Sequence, residues 1–193
     1  VTINTDYYGT LQEANDYFDH RLHETAWSGA DVADRPKALW AATEIIDTLN
    51  FKGFKATVWA VLQSKGLADV PHEISFVLPN GVLSTASVTL EEIRAAEAAQ
   101  VLEFPRGTDT EVPEAIRRAC YEIAHSLLDG KDPELELENL GIISQGYSSV
   151  RTTYQRSQVP IEHLINGVPN ALAWRLIRPF LRDGDQLKIT RIS

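Results

Sequence analysis

Residues 113–130 confine their apolar side chains to one face of a helix, and no other feature narrows the possible folds as much. Ile116, Ala119, Cys120, Ile123, Ala124, Leu127 and Leu128 recur at the i, i+3, i+4, i+7 spacing of an amphipathic helix. Pro113 falls in the first turn, where its missing N–H costs nothing, and Asp129-Gly130 supplies the stop. Such a stripe must be covered. A second helix starting near Asp34 offers the cover, with Pro36 in its first turn and Ala38, Leu39, Ala42, Ile45, Ile46 and Leu49 along one side. Asn50-Phe51-Lys52-Gly53 closes it.

The remaining segments add smaller elements. Thr10 with Glu13 reads as a capping box, opening a first helix on which Leu11, Ala14, Phe18 and Leu22 share a face until Ser28-Gly29-Ala30. In residues 56–99 the pattern changes. The 74–78 and 82–88 stretches flank Asn80-Gly81, the dipeptide of tight hairpin turns. Thr89 with Glu92 then forms a second capping box before an Ala-rich helix, while 59–67 fits helix or strand equally. Residues 134–138 alternate Glu and Leu, as a half-exposed strand or a short helix would. Residues 146–155 read as strand or extended arm, Pro169 opens a last helix with Leu172, Leu176, Ile177 and Phe180, and 187–192 alternate as a terminal strand. The expected fold is mainly α (α+β): a helical bundle core formed by 1–55 and 100–182, an inserted hairpin/helix subdomain at 56–99, and a C-terminal extension at 183–193.

Charge is unevenly placed. Residues 1–150 hold 11 Lys+Arg against 24 Asp+Glu, a balance of −13, whereas 151–193 hold 7 against 3, a balance of +4. An acidic body argues against wrapping nucleic acid, whose binding is driven by neutralising phosphates, and suits a surface that DNA slides past. The basic quarter fits an acidic partner. Cys120 is the single cysteine, so no intramolecular disulfide forms and a reducing compartment is expected. No stretch approaches the roughly 20 apolar residues of a membrane-spanning helix, and no leader pattern suggests export.

Chemistry-bearing constellations are sparse. His20 and His23 could share two positions on a metal, but no motif fixes a third ligand. Asp129-Gly130-Lys131-Asp132 lacks the acidic ladder and closing Glu of a calcium loop and reads as a helix stop and turn. Cys120 lies on the apolar stripe, where a thiol behaves as a small hydrophobe. No nucleophile elbow, P-loop or dinucleotide fingerprint occurs. The expectation is a protein without catalytic residues, metal or cofactor. Arg175, Arg178 and Arg182 fall on one face of the expected last helix, and Leu187, Lys188, Ile189, Arg191 and Ile192 form an alternating, partly basic end. These eight are the candidate partner-docking residues.

The order of motifs resembles the tailed-phage head–tail adaptor (connector) family, part of which is described as DnaT-like single-stranded-DNA-binding. The upstream matches are Tyr17-Phe18, Arg21-Leu22, Trp27, Arg35, Ala38-Leu39, Ala42-Thr43, Ile46-Asp47, Leu49-Asn50-Phe51 and Gly53. Downstream they are Gln100, Leu102-Glu103-Phe104-Pro105-Arg106-Gly107, Val112-Pro113, Ile116, Ala119-Cys120, Ala124 and Leu127-Leu128-Asp129-Gly130, then Tyr154, Val168-Pro169 and Leu181. Two departures stand out: Phe104 occupies a place where the family commonly has Trp, and 56–99 intervene where the family passes quickly from one block to the next.

The resemblance implies a structural protein of the virion neck, made in the host bacterial cytoplasm. It implies a homo-oligomeric ring, usually of twelve copies, placed below the portal protein and carrying the next neck or tail protein. Packaged DNA would pass through the channel without sequence-specific binding, and no membrane is involved. One alternative is a single-stranded-DNA-binding replication protein of primosomal type, using the arginines. Another is a metal-dependent hydrolase or nuclease, which needs a divalent-ion site.

Overall fold

The computed structural model describes residues 6–66, 88–140, 144–147, 150–153 and 162–182. The expected hairpin around Asn80-Gly81, Tyr154, and the alternating end with Leu187, Lys188, Ile189, Arg191 and Ile192 lie outside the described residues. The architecture is mainly α-helical. In chain order the helices are α1 (Leu11–Asp19), α2 (Thr25–Ser28), α3 (Asp34–Asp47), α4 (Ala56–Ser64), α5 (Leu90–Ala98), α6 (Glu114–Leu128), α7 (Pro133–Leu140), α8 (Glu162–Ile165) and α9 (Ala171–Ile177). Between α7 and α8, β1 (Ser144–Tyr147) pairs antiparallel with β2 (Val150–Thr153), Ser144 opposite Thr153 and Tyr147 opposite Val150.

The chain forms two compact units. One comprises 1–7, 50–114 and 180–193; the other comprises 8–49 and 115–179. Residues 50–55 and 100–114 group with α4 and α5, through hydrogen bonds detailed below. Within this unit α4 packs on α5, burying Val58, Leu62, Val88, Ile93 and Ala96, with Phe54 and Val61 half-buried against them. The Thr89–Glu92 capping box is complete: the Thr hydroxyl accepts from the Glu92 N–H (3.2 Å), and the Glu carboxylate accepts from the Thr89 N–H (2.9 Å).

The second unit is organised by α6, on which every residue from Ala119 to Ser126 is buried. Leu39, Ala42 and Ile46 of α3, and Ala14 and Phe18 of α1, contribute further fully buried side chains to the same unit. The stop after α6 is a Schellman motif. Gly130 adopts φ +76°, the Lys131 N–H donates to Ser126 O (3.0 Å) and the Gly130 N–H to Leu127 O (3.0 Å). Asp132 then caps α7, its carboxylate accepting from the Glu134 N–H at 2.9 Å. This settles 134–138 as helix, because a cap, Pro133 in the first turn and four acidic or amide side chains favour a helix start over an edge strand.

Two expectations for the N-terminal helix require correction. Thr10 accepts from the Glu13 N–H (3.1 Å), but the Glu13 carboxylate takes Arg117 Nη1 (2.6 Å) instead of returning to the Thr10 backbone. The helix also ends at Asp19, leaving Leu22 84% exposed, with His23 at φ +60°. Arg21 is the cause. Its guanidinium is drawn into the unit by Glu122 while Nη1 donates to His23 O (2.9 Å), so the chain turns here and restarts as α2.

Candidate functional site

The two sequence blocks ending at Gly53 and running from Gln100 meet in one clasp. Phe51 and Phe104 pack edge to face, ring centroids 4.7 Å apart, and Phe180 meets Phe104 the same way at 5.7 Å. Arg106 lies over the Phe51 ring and donates from Nε to Lys52 O (2.9 Å) and from Nη2 to Gly53 O (2.6 Å), while its Nη1 binds the Glu103 carboxylate. Lys55 reaches back, its Nζ donating to Gln100 O (3.1 Å) and pairing with Glu103 (3.3 Å). Fully buried Gln100 uses both ends of its amide. Its Nε2 donates to Leu102 O (3.0 Å) and Pro105 O (2.8 Å), and its oxygen accepts the Thr57 N–H (3.3 Å) at the start of α4. A buried amide survives only when so satisfied.

The second unit has its own polar centre at Glu122, which is 0% exposed. Its carboxylate accepts from Arg21 Nε (2.7 Å) and Nη2 (2.8 Å), from the Tyr17 hydroxyl (2.7 Å) and from Asn170 Nδ2 (3.2 Å). Asn170 is at the same time the cap of α9, accepting from the Leu172 N–H at 2.8 Å. One carboxylate thus fixes α1, the 20–24 turn and the start of α9 to α6. Burial, then the adjoining Glu122 carboxylate, raises the Tyr17 phenol above its ordinary value. Trp27 stacks on Phe18 at 4.6 Å and donates to Asn15 Oδ1 (3.0 Å), with the Arg35 guanidinium 5.7 Å from its ring centre.

Among the described residues, the bonds of both centres run to backbone or to another side chain, with no nucleophile beside a free base. Cys120 is wholly buried, close to Thr43 Oγ1 (3.5 Å), and burial pushes its thiol up to about 12. His20 Nδ1 donates to Asp16 O (2.8 Å), and among the described residues no cluster of three metal-ligating side chains occurs. His125 stacks on Phe18 with Nε2 buried and lacking a hydrogen-bond partner among the described residues. Burial, reinforced by nearby Arg21, lowers its pKa.

The arginine stripe is not one helical face. Arg175 and Arg178 are exposed on and just after α9, Arg178 standing 4.0 Å from Glu162. Arg182 lies beyond the helix and belongs with the other unit. Pro179 cannot donate to the Arg175 carbonyl, so α9 ends at Ile177 and tightens into a 3-10 turn, Arg178–Phe180. Leu181 then bridges antiparallel to Phe51, the Arg182 N–H donates to Asn50 O (3.0 Å) and its Nε to Phe51 O (3.1 Å). Arg182 stays exposed while its Nε joins the clasp.

Sequence reasoning did not single out Glu122, Gln100 as a buried amide, or Asn170. The usable signal was a charged residue amid an otherwise covered helix segment, together with Arg21 in a block too ordered to be a loop. Searches of protein families, of curated proteins and of solved structures find no match to this chain.

Proposed function

We propose that this chain is a structural virion protein, a head–tail adaptor that assembles as a ring of twelve copies below a portal, surrounds the DNA channel and carries the next neck or tail component. The observation that carries this reading is which residues bear the family resemblance. Tyr17, Arg21, Trp27 and Arg35 hold one unit, and Phe51, Gly53, Gln100, Phe104 and Arg106 hold the other. A resemblance made of scaffold-forming residues extends to a scaffold, and a scaffold with its polar groups committed internally suits assembly better than turnover. In this reading the helical core is of the adaptor type, and 56–99 is an elaboration rooted on the clasp through Lys55 and Gln100. Twelve copies in a ring need heterologous contacts, one patch meeting a different patch on the neighbour, and repetition makes weak contacts strong. Exposed Arg175 and Arg178 on one copy offer such a patch to the acidic surface of the next.

Electron microscopy of a lysate from a phage whose copy of this gene is disrupted tests the reading. Filled heads separated from complete tails are expected. Few filled heads with collapsed DNA synthesis would overturn it in favour of the single-stranded-DNA-binding alternative.

A further inference from the structure

Helix α3 buries one face through Ala38, Leu39, Ala42, Thr43 and Ile46, yet its opposite face also carries a large apolar side chain. Along that outer face Ala33, Lys37, Trp40, Glu44 and Thr48 are all exposed and recur at helical spacing. Trp40 is 55% exposed, and Val32 at the approach to the helix is 72% exposed. Tryptophan is the side chain most enriched among residues that dominate binding energy. Here it stands on a helix already held rigid from behind.

The charges on this face are arranged symmetrically about the tryptophan. Lys37 lies just under one turn before Trp40 and Glu44 just over one turn after it, so the two stand about 10 Å apart along the axis. Lys37 pairs with Asp34 at 2.7 Å, but both groups are exposed, and a surface pair of this kind holds its partners weakly. Among the described residues Glu44 makes no ion pair. Ala33 and Thr48, at the two ends, are small enough to let another helix approach.

We propose that the outer face of α3 packs antiparallel against α3 of a second copy, about a two-fold axis level with the Trp40–Ala41 peptide. This register places Lys37 opposite Glu44 of the second copy and Glu44 opposite its Lys37. It sets the two Trp40 rings against each other at the centre and brings Ala33 across from Thr48 at both ends. Parallel pairing in register would instead oppose Lys37 to Lys37 and Glu44 to Glu44, so the charge pattern selects the antiparallel arrangement. A single helix face is at the small end of stable interfaces, which puts association in the micromolar to millimolar range. An isologous contact uses up its own patch and cannot propagate a ring, so the pair is independent of the adaptor reading and either can fail alone.

Sedimentation velocity of the full chain over a micromolar-to-millimolar series tests the pair. The mass is expected to rise from 21.5 kDa towards twice that value. Trp40→Ser should weaken association at least about tenfold. Lys37→Glu and Glu44→Lys should each weaken self-association about tenfold. An equimolar mixture of these two single variants should associate with each other, and the Lys37→Glu/Glu44→Lys double variant should regain self-association. All three positions are solvent-facing, and circular dichroism on each variant separates lost pairing from lost folding. A chain that stays at 21.5 kDa throughout overturns the proposal. So does a dimer indifferent to Trp40→Ser, or a double variant and mixture no better than the singles.

Discussion

Replacing Arg21 by Met would strand a buried carboxylate. Glu122 is fully covered, whereas the Arg21 side chain remains 23% exposed. In the substituted protein Glu122 keeps, among the described residues, the Tyr17 hydroxyl and Asn170 Nδ2 as side-chain donors, both neutral. Breaking a buried ion pair from one side costs about 3–5 kcal/mol, since the remaining charge is left uncompensated. The partial exposure of Arg21 shields the pair somewhat, so about 3 kcal/mol is the expected loss. At about 2–4 °C per kcal/mol for a chain of this length, the melting temperature should fall by about 6–12 °C. Glu122→Gln removes the charge from the buried side and leaves Arg21 able to reach water, so it should cost less, about 1–2 kcal/mol. The double variant should be more stable than the sum of the single losses allows, by about 1 kcal/mol or more. Urea denaturation followed by tryptophan fluorescence measures all three, with Trp27 stacked on Phe18 as a reporter in the same unit. An Arg21→Met protein within about 1 kcal/mol of the parent, or a Glu122→Gln protein that is the less stable of the two, would refute the reasoning.

Three further outcomes follow from the other buried groups. Arg106→Lys should destabilise the clasp by about 1–3 kcal/mol, because an ammonium cannot serve Lys52 O, Gly53 O and Glu103 together, and thermal melting reads this. The native Cys120 thiol, held at about 12 by burial, should be silent to a disulfide reagent near pH 8 and react at once in denaturant; rapid native labelling would contradict its burial. His125 has a folded pKa below the ordinary 6.5, so the unfolded chain takes up the proton first as pH falls. Its contribution is therefore complete above about pH 6.5 and is lost as pH falls towards the lowered folded value, and His125→Phe should flatten the stability slope between about pH 7.5 and about pH 5.5. An unchanged slope in that variant would count against it.

The parts of this fold that were legible in the sequence are those with local causes. The stripe on α6, the Gly130 stop and the Thr89–Glu92 box each arise from residues within a few positions of one another, so spacing alone exposes them. What was misread depends on distant partners. Apolar spacing carries the first helix on to Leu22, yet a guanidinium bond to Glu122, far along the chain, outweighs another turn of helix. Thr10 and Glu13 satisfy a local rule, but a carboxylate offered both a backbone amide and Arg117 takes the stronger, charge-assisted bond. Arg182 looked like the end of a basic helical face until Pro179 ended the helix and Phe51 claimed the residues after it. The clasp was half visible: both of its blocks were marked in the sequence, while nothing in either says that they bind each other. A charged or amide side chain inside a well-punctuated block is thus better read as a request for a remote partner than as surface. Applied to α3 the same rule separates Thr43, buried and bonded by the Tyr8 N–H at 3.1 Å, from Trp40, whose request nothing described within this chain has answered.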